Sequence, residues 1–398
     1  MREIRQHFAV PYEYPVFFTR DALAAGEAAL VSVLQRAGPG PHRMLAALDG
    51  GLLRADPTLP ERLGRFARRH AGLLEWVATP VVIPGGEACK QDPGVVEGLH
   101  RAVERHRLCR QSLFLAIGGG AVLDAVGFAA ATAHRGVRLV RMPSTVLAQN
   151  DAGIGVKNAV NAFGRKNFIG AFAPPFGVVN DLALLDTLPA RERIAGCAEA
   201  VKVSLIKDAA FFETLHASRH RLAALEPEAT EQMILRCAEL HLEHIRAAGD
   251  PFERGSARPL DFGHWSAHAL EELTDAALRH GEAVAIGVAL DSLYAVRAGL
   301  LDELSCRRIL ATLEDLGFTL THPALGALDV ESALAAFREH LGGRLTITLI
   351  EGIGRGVDVH EIDAENMRAC IAQLLRRHQR REDSSNDSEL SDVRNRGR

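Results

Sequence analysis

The hydrophobic pattern divides the chain into two parts. From about Tyr14 to Asp181, short β-branched or apolar runs alternate with helical stretches, which predicts a parallel α/β sheet. The predicted strands cover 44–49, 76–84, 112–120 and 136–143. From about Leu182 onward, long amphipathic helical patterns dominate until a strand run at 344–354, so this part is predicted to be a helical domain.

The length supports the same division. At about 150 residues per domain, the 398 residues predict two domains, an α/β domain at 1–181 and a helical domain at 182–378. Residues 379–398 contain only Leu390 and Val393 as apolar anchors. So little apolar surface cannot offset the entropy of ordering the segment, so we expect a disordered tail.

Composition and charge exclude several classes of protein. A hydrophobic fraction of 47% with 24% charged residues is typical of a globular chain and excludes wholesale disorder. The formal charge of -4 provides no general attraction to nucleic acid or to an anionic membrane. The six cysteines show no CxxC spacing, and no segment has the pattern of a signal peptide or a membrane span. We therefore expect a cytoplasmic protein with reduced cysteines.

The balance of cations is uneven, with 41 arginines and only 5 lysines. Arginine replaces lysine easily on a solvated surface, but not where a compact, rotatable ammonium group is required. The lysines that remain are therefore candidates for function, and they are Lys90, Lys157, Lys166, Lys202 and Lys207.

Two glycine clusters follow predicted strands. Gly118, Gly119 and Gly120 lie between an apolar strand and a helical pattern, where backbone N–H groups can approach a pyrophosphate closely. The alternative is a tight turn that needs glycine for positive φ. The second cluster, at 84–90, follows the preceding strand, and two such turns suit a dinucleotide that lies across the sheet edge.

Three polar residues accompany these turns. Glu87 and Lys90 lie on the second glycine turn. Asp49 ends an earlier strand, where it can accept a hydrogen bond from a ribose hydroxyl. A turn or capping role is an equally good interpretation of Asp49.

The segment 142–175 is dense in glycine and polar residues. It carries Asp151, Lys157, Lys166 and Asn167, whose cations and amide donor suit a phosphate-bearing substrate. We interpret it as a binding loop rather than a solvated linker, because two of the five lysines fall in it.

A carboxylate and a lysine share one face of a helical run at 195–208. Glu199 and Lys202 are three residues apart, a spacing that usually produces only a weak surface ion pair. The run is otherwise largely apolar, and a buried carboxylate needs a partner, for which a metal ion is one candidate.

Histidines in the segment 261–287 could be further ligands. His264 and His268 lie one helical turn apart, and His280 begins a later helix. Two histidines with one carboxylate and an open fourth position form a typical catalytic zinc site. By spacing alone, His264 and His268 are the expected ligand pair, and the alternative is a set of structural helix histidines.

These motifs together resemble the 3-dehydroquinate synthase family of sugar phosphate cyclases. The resemblance runs from about Asp49 to Gly354, and its matching stretches stand in the family's order. They are PGGEACK, GGGAVLDAVGF, RGVRLVRMPSTVLAQNDAGIGVK, GRKNFIGAF, TLPARE, AEAVK, FGHWSAH and HGEAVAIG. The resemblance implies a Rossmann-like NAD domain with a parallel sheet, followed by a mainly helical metal-binding domain.

The resemblance also implies roles for individual residues. The metal ligands, for zinc or else cobalt, would be Glu199, His264 and His280, which leaves His268 as an active-site histidine. The NAD contacts would be Asp49, Glu87, Lys90, Gly118, Gly119, Gly120, Asp124, Ser144, Thr145, Lys166, Thr187, Leu188 and Glu192. The substrate contacts would be Arg135, Asp151, Lys157, Asn167 and Lys202. In relatives the residue at Arg135 reaches across a dimer, so a homodimer is expected.

The reaction that the resemblance implies needs both cofactors. NAD oxidises a hydroxyl group of a C7 sugar phosphate, phosphate is eliminated, the ketone is reduced back, and an aldol step closes a carbocycle. The metal acts as a Lewis acid. NAD is regenerated in each catalytic cycle, so no net redox change occurs.

The segment before His264 departs from the 3-dehydroquinate synthase pattern. Asp261 replaces an asparagine, and Ala257 stands where an arginine is expected, with Arg258 displaced by one position. The substrate of 3-dehydroquinate synthase carries a carboxylate, which Asp261 would repel. We therefore count Asp261 among the candidate active-site residues.

Two family lysines are also missing. One falls at Glu243 or His244 and the other at His340, so neither has become arginine. The Asp261 and His340 replacements resemble 2-epi-5-epi-valiolone synthases, which cyclise sedoheptulose 7-phosphate. That sugar is the expected substrate, and the alternative is the carboxylated C7 sugar phosphate of 3-dehydroquinate synthase, held by Arg258 or His244.

Two other classes of protein remain open. An iron-containing polyol or glycerol dehydrogenase would share the glycine turn and the architecture, but it would produce NADH. A non-catalytic homologue would release no phosphate from any C7 ketose phosphate.

Overall fold

The computed structural model describes residues 1–247, 249–255, 258–275 and 277–377. The predicted tail, residues 379–398, and Ala257 lie outside the described residues, as does the side chain of His340. The chain forms two compact units, Met1–Leu188 and Pro189–Arg398.

Unit 1 alternates strands and helices, as the pattern predicts. Its strands are β1 (Val16–Thr19), β2 (His42–Asp49), β3 (Leu74–Trp76), β4 (Val81–Ile83), β5 (Leu113–Gly118), β6 (Arg138–Pro143), β7 (Lys157–Ala162), β8 (Arg165–Phe172) and β9 (Gly177–Asp181). Its α-helices are α1 (Ala29–Gln35), α2 (Gly50–Ala55), α3 (Leu59–Arg69), α4 (Ala88–Gln91), α5 (Pro93–Arg105) and α6 (Gly120–Thr132). Shorter helical turns are the 3-10 segments Ala133–Arg135 and Leu182–Thr187 and the π-helix Ala148–Ala152.

Within the fully described unit 1, seven strands form one parallel sheet. Their order is β1-β9-β6-β5-β2-β3, with β4 also paired to β2. Successive residues of β2 enter different cores. Met44, Ala46 and Leu48 pack on one face with helices α1 and α3, whereas Leu45 and Ala47 pack on the other with α5 and α6. Burial on both faces explains why β2 and β5 read as continuous apolar runs, and it confirms the predicted α/β class.

The prediction of one continuous strand at 76–84 is wrong. The structure has two short strands here, β3 and β4, which pair with the amino-terminal and carboxyl-terminal halves of β2 respectively. Pro80 lies in the interruption and has no N–H to donate to the ladder.

The predicted loop at 142–175 is also largely wrong, because β7 and β8 form an antiparallel hairpin inside it. The connecting residues Phe163 and Gly164 both have positive φ, 54° and 73°. Polar residues and glycines hid the strand pattern there. Consequently Lys157, Lys166 and Asn167 lie on a hairpin rather than on an irregular loop.

The division between the units follows Leu188 rather than the predicted Asp181. Asp181 caps the 3-10 turn that comes next by accepting from the backbone N–H of Ala183 at 3.0 Å. Leu182, Leu184 and Leu185 of this turn are buried, and Leu184 belongs to the core of unit 1. This packing keeps the turn with the sheet.

Unit 2 is mainly helical. Its helices are α7 (Ala190–Lys207), α8 (Ala209–Ala223), α9 (Pro227–Ala247), α10 (His264–Leu273), α11 (His280–Arg297), α12 (Glu303–Asp315), α13 (Val330–His340) and α14 (residues 364–377). A hairpin is formed by β10 (Ile347–Gly352), which lies within the strand run predicted at 344–354, and β11 (Arg355–Val359). Among the described residues, no helix combines the length and apolar character that a membrane span requires.

Candidate functional site

The first glycine turn of unit 1 leaves little room for side chains. A Cβ on Gly118 would lie 2.6 Å from Cγ1 of Val122, and a Cβ on Gly119 would lie 3.2 Å from Cγ2 of Thr145. Ser144 lies beside the same turn and donates its backbone N–H to Gly118 O at 2.9 Å. The turn therefore brings Ser144 and Thr145 next to the start of α6, whose first N–H groups can bind an anion.

Asp49 caps a helix. Its Oδ1 accepts from the backbone N–H groups of Gly51 at 2.7 Å and Leu52 at 3.4 Å, at the start of α2. A Cβ on Gly85 would lie 2.3 Å from the same oxygen, so the second glycine cluster packs directly on Asp49. The capping interpretation of Asp49 is correct, and its contact with a ribose stays a prediction.

A polar cluster around the buried Lys90 connects the second glycine cluster with the hairpin. Nζ of Lys90 lies 2.7 Å from Oδ2 of Asp124 and also donates to Oδ1 of Asn167. Asn161 joins the cluster by donating to Oε2 of Glu87 at 3.2 Å, while its Oδ1 accepts from the N–H of Asn167 at 2.9 Å. Burial alone would lower the pKa of Lys90, but the charges of Asp124 and Glu87 outweigh it and raise that pKa. The cluster therefore holds a charged ammonium group 4% exposed to solvent.

The other predicted residues of unit 1 have different surroundings. Asp151 lies in the π-helix, Lys157 begins β7 with its side chain exposed, and Lys166 is half-buried on β8. Thr187 and Leu188 form the end of the unit, where Thr187 Oγ1 donates to Leu184 O at 2.7 Å.

Arg135 lies apart from these residues. It is exposed in the turn between α6 and β6, with φ of 62°. This turn precedes β6 and is therefore at the amino edge of the parallel sheet, whereas the glycine turns follow β4 and β5 at the carboxyl edge. The structure does not bring Arg135 to the glycine turns of its own chain.

Unit 2 contains a cluster suited to a metal ion. Ligand atoms of Glu199, His264 and His280 all lie within 4.8 Å of one another. Oε1 of Glu199 lies 3.6 Å from Nε2 of His264 and 3.3 Å from Nε2 of His280. The expectation from spacing alone is wrong, because this cluster contains His280 rather than His268.

Close backbone packing produces the cluster. A Cβ on Gly281 would lie 2.0 Å from Ala195 O, so α11 can approach α7 only because this residue is glycine. In the same way, a Cβ on Gly287 would lie 2.0 Å from Gly263 O, and Gly263 itself has φ of 78°. These contacts bring the starts of α10 and α11 to the middle of α7.

The rings of His264 and His280 are each oriented by a contact of Nδ1, the nitrogen that does not point at Glu199. Nδ1 of His264 lies 3.1 Å from Phe262 O, and Nδ1 of His280 lies 3.4 Å from Oε2 of Glu271. Such bonds fix the tautomer that leaves Nε2 free to bind a metal, so the donor set fits zinc or a similar cation. Sequence reasoning missed Glu271, although a carboxylate one turn after His268 in a helix with a buried face was a possible signal.

The electrostatics of the cluster depend on the buried carboxylates. Burial would lower the pKa of His280, but Glu271 and Glu199 outweigh it and raise that pKa to about 10. For His268, burial and then the charge of His264 lower the pKa to about 3. Metal binding therefore has to displace a proton from His280.

Lys202 is also part of this cluster. Its Nζ contacts Oε2 of Glu199, and the two side chains are 2% and 0% exposed. The spacing of three residues therefore does not produce a weak surface ion pair here. Glu192, near the start of the same helix, pairs instead with Arg279 at 3.1 Å.

Asp261 lies before the cluster in a short 3-10 turn and is half-buried. Burial and the charge of Lys202 lower the pKa of His264, while the carboxylates of Glu199 and Asp261 act in the opposite direction. Asp261 acts on His268 in the same sense. The negative charge of Asp261 therefore acts on both histidines of α10, His264 and His268.

The other positions that differ from the 3-dehydroquinate synthase pattern lie further from the metal cluster. Nε of Arg258 lies 3.7 Å from Oε2 of Glu253, and both side chains are largely buried. Glu243 is exposed on α9 and pairs with Arg246 at 2.7 Å, and His244 is half-buried beside it. His340 is the last residue of α13.

Comparison with known proteins assigns the chain to a class. The N-terminal profile of 3-dehydroquinate synthase matches residues 80–195, and the C-terminal profile matches 196–340. The class is that of the sugar phosphate cyclases. The chain belongs to the 3-dehydroquinate synthase family, as its motifs predict.

Individual relatives carry two different names. The 3-dehydroquinate synthase of Halorhodospira halophila is 37% identical over 280 residues, which cover 70% of this chain and 78% of the relative. The 2-epi-5-epi-valiolone synthase of Streptomyces glaucescens is 38% identical over 274 residues, covering 68% and 70%. Among solved structures, ValA, the 2-epi-5-epi-valiolone synthase of Streptomyces hygroscopicus subsp. jinggangensis with NAD⁺ and Zn²⁺ bound, has a TM-score of 0.84. It is 29% identical, and the alignment covers 94% of this chain and all of ValA.

Proposed function

We propose that this protein is an NAD- and metal-dependent lyase that eliminates phosphate from sedoheptulose 7-phosphate and closes a carbocycle by an intramolecular aldol step. The relatives support the general reaction, since sugar phosphate cyclases include both named activities. The observation that carries the choice of substrate is Asp261, a half-buried carboxyl group three residues before His264, whose negative charge acts on His264 and on His268.

Each unit would hold one cofactor. The glycine turn at Gly118–Gly120, Ser144 and Thr145 would hold the NAD pyrophosphate, with Lys90 and Asp124 close by. Glu199, His264 and His280 would hold the metal. When bound, NAD accepts and returns a hydride, and the metal supplies Lewis acidity.

The chain's own cations would act on the phosphate. Lys157 is exposed and can reach a ligand, and the amide of Asn167 can donate a hydrogen bond. They would stabilise the charge that develops on the departing phosphate. Asp151 and His268 would contact the sugar, and Arg135 would do so from a second copy of the chain in a homodimer.

The missing cations and Asp261 support a substrate without a carboxylate. A carboxylated sugar would need a cation to replace the two missing family lysines, one at Glu243 or His244 and the other at His340. Arg258 is the nearest replacement in the sequence, but it already pairs with Glu253. Asp261 would add repulsion.

The decisive experiment measures phosphate release with NAD and zinc. Sedoheptulose 7-phosphate is compared with 3-deoxy-arabino-heptulosonate 7-phosphate, which carries the carboxylate. We expect faster turnover of the uncharged sugar and no accumulation of NADH. Preference for the carboxylated sugar would support the second candidate, 3-dehydroquinate synthase, which the relative from Halorhodospira halophila favours.

The same assay tests the remaining classes. Net NADH from a polyol would indicate a dehydrogenase, and absence of phosphate release from either sugar would indicate a non-catalytic homologue. Full activity in a His280→Ala variant would contradict the metal assignment.

A further inference from the structure

A buried arginine lies beneath the segment that leads into β7. Arg141 is on strand β6 and has no solvent exposure. Burial lowers the pKa of Arg141, and the charges of Asp124 and Tyr14 oppose this. A guanidinium group stays charged in proteins, so this charge needs compensation inside the fold.

The compensation comes mainly from carbonyl groups. Nη1 of Arg141 donates to Gly153 O at 3.2 Å and to Gly155 O at 2.9 Å. Nη2 donates to Lys157 O at 3.0 Å and to Oδ1 of Asn158 at 2.6 Å. One side chain therefore binds four acceptors within six consecutive residues.

The remaining carbonyls of the segment are bound as well. Ile154 O accepts from the hydroxyl of Tyr14 at 2.9 Å, and Val156 O accepts from the N–H of Ala173 at 2.9 Å. Every carbonyl from residue 153 to residue 157 thus has a donor, and Arg141 supplies three of the five. The segment has no regular secondary structure before β7, so these bonds rather than a ladder determine its path.

Asn158 completes the arrangement. It is 1% exposed, and its Nδ2 donates to Ala173 O at 3.0 Å. A Cβ on Gly127 of α6 would lie 1.8 Å from Oδ1 of Asn158, so the glycine makes room for the amide that Arg141 binds. Residues on both sides of Lys157 are consequently buried and fixed, while the Lys157 side chain itself is exposed.

We propose that Arg141 is a positioning residue that fixes the backbone of Lys157 and thereby presents the Lys157 ammonium group to the phosphate of the substrate. The proposal rests on the phosphate-binding role of Lys157 proposed above. A lysine at position 141 would keep the charge but lose the planar fork that binds several carbonyls at once.

The first test does not involve substrate. Amide hydrogen exchange of peptides covering 153–158 is measured in the wild type, in Arg141→Lys and in Arg138→Lys. Arg138 is the matched control, because it lies on the same strand and also donates to main-chain carbonyls, those of Ala37 and Gln111. We expect exchange to accelerate at least about tenfold in Arg141→Lys, since the segment loses its donors, and to stay unchanged in Arg138→Lys.

The second test is a double-mutant cycle with inorganic phosphate as the probe. Calorimetric titration in the presence of NAD compares Arg141→Lys, Lys157→Met and the double variant. If Arg141 acts through Lys157, each single variant binds phosphate more weakly, and the double variant binds no more weakly than Lys157→Met. Should Arg141→Lys fail to fold, Arg141→Gln, which adds no buried charge, replaces it in both tests.

The outcomes separate the two proposals. The positioning role would be overturned if amide hydrogen exchange at 153–158 in the Arg141 variant equalled that of the wild type. It would also be overturned if the losses of phosphate-binding free energy in the two single variants were fully additive in the double variant. Wild-type phosphate affinity in Lys157→Met would instead contradict the proposed function of Lys157.

Discussion

Oε2 of Glu271 lies 3.4 Å from Nδ1 of His280, which forms the candidate metal cluster with Glu199 and His264. Glu271 is 4% exposed, so its carboxylate is held in the interior of unit 2. This contact fixes the orientation of the His280 ring and raises the basicity of Nε2.

Replacing Glu271 by Gln should weaken metal binding by roughly 10- to 100-fold, because a neutral amide supports the imidazole less well. Chelator competition with Zn²⁺, or the absorption spectrum of bound Co²⁺, measures the change without substrate. Glu272→Gln is the matched control, since Glu272 is the exposed neighbour on the same helix. Equal affinities of the Glu271 and Glu272 variants would show that the contact is irrelevant to the metal.

Replacing Lys90 by Met should reduce both stability and NAD affinity. The change leaves the Asp124 carboxylate, 19% exposed, without its buried ammonium partner, which costs up to about 3 kcal/mol. Denaturant unfolding and NAD titration measure the two effects. Removing both charges in Lys90→Met/Asp124→Asn should recover part of the stability but not the NAD affinity.

Lys207→Met is the control for the Lys90 variant. Lys207 lies at the end of α7 in unit 2, and burial lowers its pKa, but it has no place in either site. Its replacement should leave NAD affinity unchanged. An equal loss of NAD affinity in both variants would count against the cluster as part of the NAD site.

Asp291 should make stability depend on pH. It accepts from the indole N–H of Trp265 at 2.9 Å and the N–H of Gly263 at 3.0 Å, and burial raises its pKa to about 7. In the unfolded chain the pKa is about 3.9. Between about pH 4 and pH 7 the folded state therefore binds a proton that the unfolded state does not, so stability falls as pH rises and then levels off.

Comparing the wild type with Asp291→Asn isolates this effect. The unfolding free energy of the wild type minus that of Asp291→Asn should decrease by at most about 1.4 kcal/mol per pH unit as the pH rises from 5 to 7. Urea unfolding of the metal-free protein measures it. Trp265→Phe, which keeps the carboxyl group, should retain the wild-type slope, and parallel curves for the wild type and Asp291→Asn would refute the prediction.

Replacing Asp261 by Asn should shift substrate preference toward the carboxylated sugar. Removal of the negative charge lowers the repulsion, and about 1.4 kcal/mol would change the ratio of kcat/KM values tenfold. Phosphate release from the two sugars measures this ratio. Asp275→Asn, the same change at an exposed turn after α10, should leave the ratio as it is. An unchanged ratio in Asp261→Asn would remove the main argument for an uncharged substrate.

Local patterns were sufficient for much of the fold. The apolar runs of β2, β5 and β6 predict a parallel sheet, and the glycine clusters after β4 and β5 predict turns that can bind phosphate. Both signals arise from residues that are close together in the sequence. The count of five lysines is a similar signal. Four of them are predicted to contact a cofactor or the substrate, and Lys207 is the one without a predicted role.

The hairpin of β7 and β8 could not be predicted in this way. Its strands carry glycine, asparagine and exposed phenylalanines rather than an alternating pattern, and they are held by contacts with α6 and with Arg141. Arg141 looks like any other arginine in a sequence that contains 41 of them. Only its burial beneath the segment 153–158 distinguishes it.

The sequence by itself determined the family, the two-part organisation and the residue types available for binding. The resemblance implied His280 as the second histidine of the candidate metal cluster, whereas the spacing of the residues favoured His268, and only the tertiary structure shows the physical reason. Spacing places His268 on the same helix face, but Gly281 and Gly287 let α11 approach α7 and the turn at Gly263, which brings His280 to Glu199. Spacing along the chain determines which side chains share one face of a helix. Close packing between helices determines which residues of other helices contact that face.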